Sequence, residues 1–224
     1  NLTISNVANG DTVTVTGFTG STLTGTIAGT TGKFDITAGT GSNVITTAAG
    51  DDTFTFTAGS GLTSADIVNG GAGSDTITLE GNTAVAATDF NAVTNVEVIK
   101  FTSRTSGNVA ITTLNTLVAN GTTLTLTHAG TGTLTFIGSA ETDGGKFSIT
   151  GGGGVDNITG GSGDDTFTFV AGTGLTTDTV NGGAGIDTVT LTGTTAVTAA
   201  QFNSVSNIEA ITLPDMTNTA VSMT

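Results

Sequence analysis

The sequence predicts an all-β protein built as a β-solenoid in two tandem modules. Three observations predict it. A nine-residue grammar repeats, most clearly over residues 151–168, which read GGGGVDNIT and then GGSGDDTFT. Thr, Val, Ile and Phe alternate with period two between glycine turns, in a chain with 35 Gly, one Pro and no Cys or Trp. Alternation of β-branched and apolar residues marks half-buried strands, and the glycines mark the turns between them. Finally, the chain is duplicated: residues 33–56 match residues 146–169 without a gap. Periodic copies of a short unit mean stacked units that share one core.

The nonapeptide is Gly-Gly-x-Gly-x-Asp-x-U-x, where U is a large apolar residue. Glycine reaches positive φ without steric cost, so the first four positions turn tightly and point carbonyls outward. The Asp at position six adds a hard anionic oxygen at the end of the turn. The x-U-x triplet is too short for a helix, and it sends one apolar side chain inward every nine residues: Ile158, Phe167 and Val189, with Phe54 and Ile77 in the first half. Stacked turns gather carboxylates and carbonyls along the edges, and oxygen-only ligation suits Ca2+.

This motif resembles the glycine-rich calcium-binding nonapeptide of RTX proteins, which form right-handed parallel β-rolls. Full copies stand at 151–159, 160–168, 182–190 and 70–78. Weaker ones stand at 38–46, with Asn43 in place of the acid, and at 47–55, without the leading glycines. Segments 173–181 and, in the first half, the residues before Gly70 place Asp178 and Asp66 at position six behind a short insertion. In a β-roll, alternate nonapeptides share an edge. The resemblance therefore implies ions shared by Asp156 with Asp178, Asp165 with Asp187, Asp52 with Asp75 and, more weakly, Asn43 with Asp66. The turn residues expected to contribute are Gly70, Ala72, Gly151, Gly153, Gly160, Ser162, Gly182 and Ala184.

The duplication divides the chain into residues 1–106, with repeats over about 38–78, and 107–224, with repeats over about 151–190. The boundary falls near 105–108. The Thr-rich stretches 1–31 and 111–136 read as further strands of the solenoid rather than a separate sandwich. After the repeats, 82–92 and 193–204 suit one short helical turn each, followed by strands NVEVIKF and NIEAITL. In Asn95/Glu97 and Asn207/Glu209 the Asn is expected to satisfy a turn and the Glu to face solvent or a strand neighbour.

Charge and composition exclude several classes. The net charge is −14. Lys33, Lys100, Arg104 and Lys146 build no basic patch, so neither nucleic acid nor an anionic membrane surface is an expected partner. No apolar run is long enough for membrane insertion. His128, the one histidine, has no neighbouring partner in sequence; it is expected at a turn end or exposed. No nucleophile elbow, zinc set or phosphate loop is present, so the chain is not expected to be an enzyme. The first acids of the pairs Asp51/Asp52 and Asp164/Asp165 are expected to add charge to the ion site or to be solvated.

The expected function is a calcium-binding structural module of a secreted bacterial cell-surface protein: an S-layer, an extracellular filament or an adhesin. Module ends with no polar cap would meet neighbouring copies, giving a homopolymer that assembles with calcium. A cell-surface glycan is the further partner an adhesin would bring. Alternatives are the C-terminal calcium and secretion domain of an exported enzyme or toxin, and a ligand- or ice-binding adhesin module suggested by the Thr ladders. With no signal peptide or initiator Met at Asn1, the chain is expected to be processed or part of a longer one.

Overall fold

A computed structural model describes residues 2–5, 10–18, 22–26, 32–102, 105–172, 174–213 and 221–222. The expected uncapped ends at 1–7 and 220–224 lie outside these residues, apart from the backbone of strands Leu2–Ser5 and Val221–Ser222. Arg104 is also outside them.

Every strand pair among the described residues is parallel, as a solenoid requires. One face is a single ten-stranded sheet. In chain order its strands are β1 (Thr12–Phe18), β2 (Lys33–Ala38), β3 (Thr53–Thr57), β4 (Thr76–Glu80), β5 (Val98–Thr102), β6 (Thr123–Thr127), β7 (Lys146–Thr150), β8 (Thr166–Val170), β9 (Thr188–Thr192) and β10 (Ala210–Thr212). The opposite face is two five-stranded sheets, one over Leu2–Ser5 to Val93–Thr94 and one over Val109–Thr112 to Val205–Ser206. The ten-stranded sheet runs on from β5 to β6, pairing Ile99 with Leu126, across the sequence boundary. The Thr-rich strand β1 pairs with β2, so it continues the solenoid.

Coil length follows from the repeat. Two contiguous nonapeptides make one 18-residue coil, as between Phe147 and Asp165. Where the short insertion precedes a degenerate copy, the coil lengthens to 22 residues between Asp165 and Asp187 and to 23 between Asp52 and Asp75. The extra residues bulge at the turn, and strand register is kept: Phe167 stacks on Val189, and Phe54 on Ile77.

The core lies between the two faces. Phe54, Ile77, Ile158, Phe167 and Val189 are fully buried, as the repeat phase requires. The side chains of β3, β4, β8 and β9 alternate between buried and partly exposed, with Thr outward. Phe136 and Phe147 meet edge to face at 4.9 Å. The helical turn expected in the second half is a 3-10 turn at Ala199–Phe202; its counterpart around residues 88–92 is a hydrogen-bonded turn.

Candidate metal centre

Each position-six residue immediately precedes a strand, at the point where the turn enters the sheet. Because each nonapeptide is half a coil, these residues alternate between two edges. Asp52, Asp75, Asp165 and Asp187 precede β3, β4, β8 and β9. Asn43, Asp66, Asp156 and Asp178 precede the strands of the opposite face, Val44–Thr46, Ile67–Asn69, Asn157–Thr159 and Thr179–Asn181. All eight are buried.

Along each edge they stack by one rule. Oδ1 of the later acid accepts the backbone N–H of the residue one coil earlier. Asp187 accepts from Asp165, Asp178 from Asp156, Asp75 from Asp52 and Asp66 from Asn43, each at 2.8 Å. Asp165, Asp52 and Asp156 in turn accept from Phe147, Phe34 and Leu134. The pairs inferred from sequence are therefore neighbours on adjacent coils.

The turn residues are equally regular. Position-one N–H groups reach forward: Gly70 donates to Thr94, Gly151 to Thr168, Gly160 to Asn181 and Gly182 to Ser206. Position-three N–H groups reach back: Ala72 donates to Ala48, Gly153 to Gly130, Ser162 to Glu141 and Ala184 to Gly161. The carbonyl of Ala72 also accepts from Gly50, and that of Gly70 from the Thr47 hydroxyl. A Cβ at Gly160 would lie against both the Gly182 carbonyl and Oδ2 of Asp165, so the missing side chain leaves room where these oxygens converge.

The second carboxylate oxygens test whether a cation fits. Oδ2 of Asp75, Asp178 and Asp187 is buried with no hydrogen-bond partner, an arrangement that costs free energy for an anion unless a cation or proton compensates it. Burial accordingly pushes Asp75 and Asp165 up to about 7 and Asp178 up to about 6. Asp52, Asp156 and Asp187 are also raised, burial being the largest cause. Among the described residues no three ligating side chains converge on one point. An ion would therefore draw its oxygens from stacked carboxylate pairs and turn carbonyls, a set that suits Ca2+.

Asn43 shows the converse. Its amide nitrogen donates to the carbonyls of Gly39 and Gly41 at 3.2 and 3.0 Å and to Oδ1 of Asp66 at 3.0 Å. Where the repeat has an amide instead of an acid, N–H donors occupy the oxygens that elsewhere face a carboxylate.

Two sequence expectations are corrected. Glu97 and Glu209 do not simply face solvent or a strand neighbour: their Oε2 atoms accept the N–H of Asp75 and Asp187 at 2.8 Å and so continue the edge ladder. The signal was the spacing of 22 residues, the length of a coil. Asn95 and Asn207 do form turns, at φ 52° and 51°. His128 is at a turn end but fully buried, 6.0 Å from Phe101 edge to face. Asp51 and Asp164 are exposed and add charge beside the stacked acids, as the sequence reading allowed; each also pairs with a lysine, Lys33 at 3.1 Å and Lys146 at 3.0 Å. The N–H groups of Ser74 and Ile186, followed by these lysines, hold them below the usual carboxylate range.

A family model described as the RTX calcium-binding nonapeptide repeat matches four times, at 35–62, 60–82, 148–167 and 173–189. No curated protein and no solved structure matches the chain. The matches cover the turns whose acids stack along the two edges, and these segments are RTX calcium-binding nonapeptide repeats.

Proposed function

We propose that this chain is a calcium-ordered structural module of a secreted bacterial surface protein, in an S-layer, filament or adhesin, and that it assembles through its module ends. The observation that carries this reading is the ten-stranded sheet, which joins both tandem modules into one solenoid with buried acids along its edges. Asp165 with Asp187, Asp156 with Asp178 and Asp52 with Asp75 each share one ion with nearby turn carbonyls. Bound Ca2+ neutralises acids that burial otherwise penalises, which couples binding to order. The Asn43–Asp66 gap binds weakly, since the amide already engages Gly39 and Gly41. No helix among the described residues is long and apolar enough to cross a membrane. Millimolar extracellular calcium suits such sites better than cytosolic levels, which supports a location outside the cell.

End-to-end contact between identical units is heterologous, so it propagates as a filament or sheet unless rotation closes a ring. Electron microscopy of the protein in millimolar calcium should show filaments or arrays that dissolve in chelator. A monomer under both conditions would overturn the assembly reading and turn attention to the secretion domain of an exported enzyme.

A further inference from the structure

We propose that the turns at 95–97 and 207–209 are shortened half-sites that each complete one more calcium site, after the last nonapeptide of each module. The proposal rests on the calcium reading above and extends it to residues outside every matched repeat.

Three gaps along the edge that enters the ten-stranded sheet have the same oxygens in the same places. In the interior gap after Gly160, a Cβ on that glycine would meet the Gly182 carbonyl and Oδ2 of Asp165. In the gap after Gly182, a Cβ would meet the Asn207 carbonyl and Oδ2 of Asp187. After Gly70 it would meet the Asn95 carbonyl and Oδ2 of Asp75. The asparagine carbonyl thus occupies the place of a position-one glycine carbonyl. The left-handed φ of Asn95 and Asn207 turns it there, and each Asn is tied to the coil before it by a side-chain bond to Asn69 or Asn181, at 2.8 and 2.7 Å. Asn tolerates this conformation better than other non-glycine residues.

The acid is replaced in the same way. Glu97 and Glu209 accept from Asp75 and Asp187 as a position-six Asp accepts one coil earlier. Glycine one and Asp six are separated by four residues, whereas Asn and Glu are separated by one. The added methylene of Glu helps span the shorter turn. Oδ2 of Asp75 and of Asp187, both on fully buried residues, has no hydrogen-bond partner and lies on the side of these gaps. Each gap therefore offers a carboxylate oxygen without a donor, a carbonyl and a second carboxylate. These are hard oxygens of variable geometry, which Ca2+ accepts more readily than Mg2+.

The test is calcium titration calorimetry on the full chain and on Glu97→Gln/Glu209→Gln. Gln keeps an oxygen to accept the Asp75 and Asp187 N–H groups and removes the charge. The expected result is a β-signal in chelator equal to that of wild type in chelator, and about two fewer ions bound per chain than wild type. Glu209→Gln alone should lose about one. Equal stoichiometry and affinity in variant and wild type would overturn the proposal and leave the nonapeptide sites standing. A β-signal in chelator below that of wild type for both variants would also overturn it, because the carboxylate would then hold the turn rather than an ion. A wild-type chain that binds no calcium would overturn the underlying reading.

Discussion

Replacing Asp75 with asparagine should stabilise the protein without calcium and destabilise it with calcium. Asp75 is fully buried; Oδ1 accepts from Asp52 and Oδ2 has no donor. Burial, with Asp52, Glu97 and Asp51 nearby, raises its pKa from 3.8 to about 7. At about 1.4 kcal/mol per pH unit, ionising this group inside the fold costs up to about 4 kcal/mol, and roughly 2 once neighbours relax. The sign follows from proton counting. Between about pH 4 and 7 the folded state holds a proton that the unfolded state has released, so stability without calcium falls as pH rises through that window. The full penalty is present above about 7. The amide introduced by Asp75→Asn would keep the acceptor for the Asp52 N–H and donate to the Asn95 carbonyl, much as Asn43 donates to Gly39 and Gly41. In chelator at pH 8, Asp75→Asn should therefore exceed wild type by about 2–4 kcal/mol in urea unfolding, or show more β-signal if wild type is unfolded there. At pH 5 the gain should fall to about 1–2 kcal/mol, because only part of that window has been crossed. In millimolar calcium the variant should be the less stable, having lost a charged ligand. A variant less stable than wild type in chelator at both pH values would show that the buried Asp75 carboxylate carries no such penalty.

Other outcomes follow from the same geometry. Phe167→Ala, at a fully buried inward position, should cost about 3–5 kcal/mol in calcium-saturated unfolding. Asp165→Ala and Asp187→Ala should be non-additive in calcium affinity, because the two share one gap; strict additivity would separate them. Lys146→Ala should barely move the melting midpoint, since the pair is exposed. It should raise the pKa of Asp164 only part of the way, because the Ile186 N–H remains; carboxyl NMR titration reads this.

The repeat phase was legible because nine residues carry both a turn and one inward apolar side chain. Phe167, Ile158 and the stacked acids followed from it. Glu97 and Glu209 were missed because their turns are shorter and carry Glu for Asp, so no motif matches. Only the coil length, fixed once strands pair, brings them under Asp75 and Asp187. The role of Asp51 and Asp164 depends on a lysine 18 residues back, one coil away, which is remote in sequence and adjacent in space. Burial of His128 was legible in the period-two alternation of TLTLTH, whose inward positions are Leu124, Leu126 and His128; it was missed because the histidine was read by its polarity.

The central claim is that buried, stacked acids make order depend on calcium. Circular dichroism of the intact chain at about pH 7.5, titrated with calcium and then with chelator, tests it most directly. β-structure and the melting midpoint should rise with calcium and fall reversibly with chelator. An identical spectrum and midpoint in calcium and in excess chelator would contradict it.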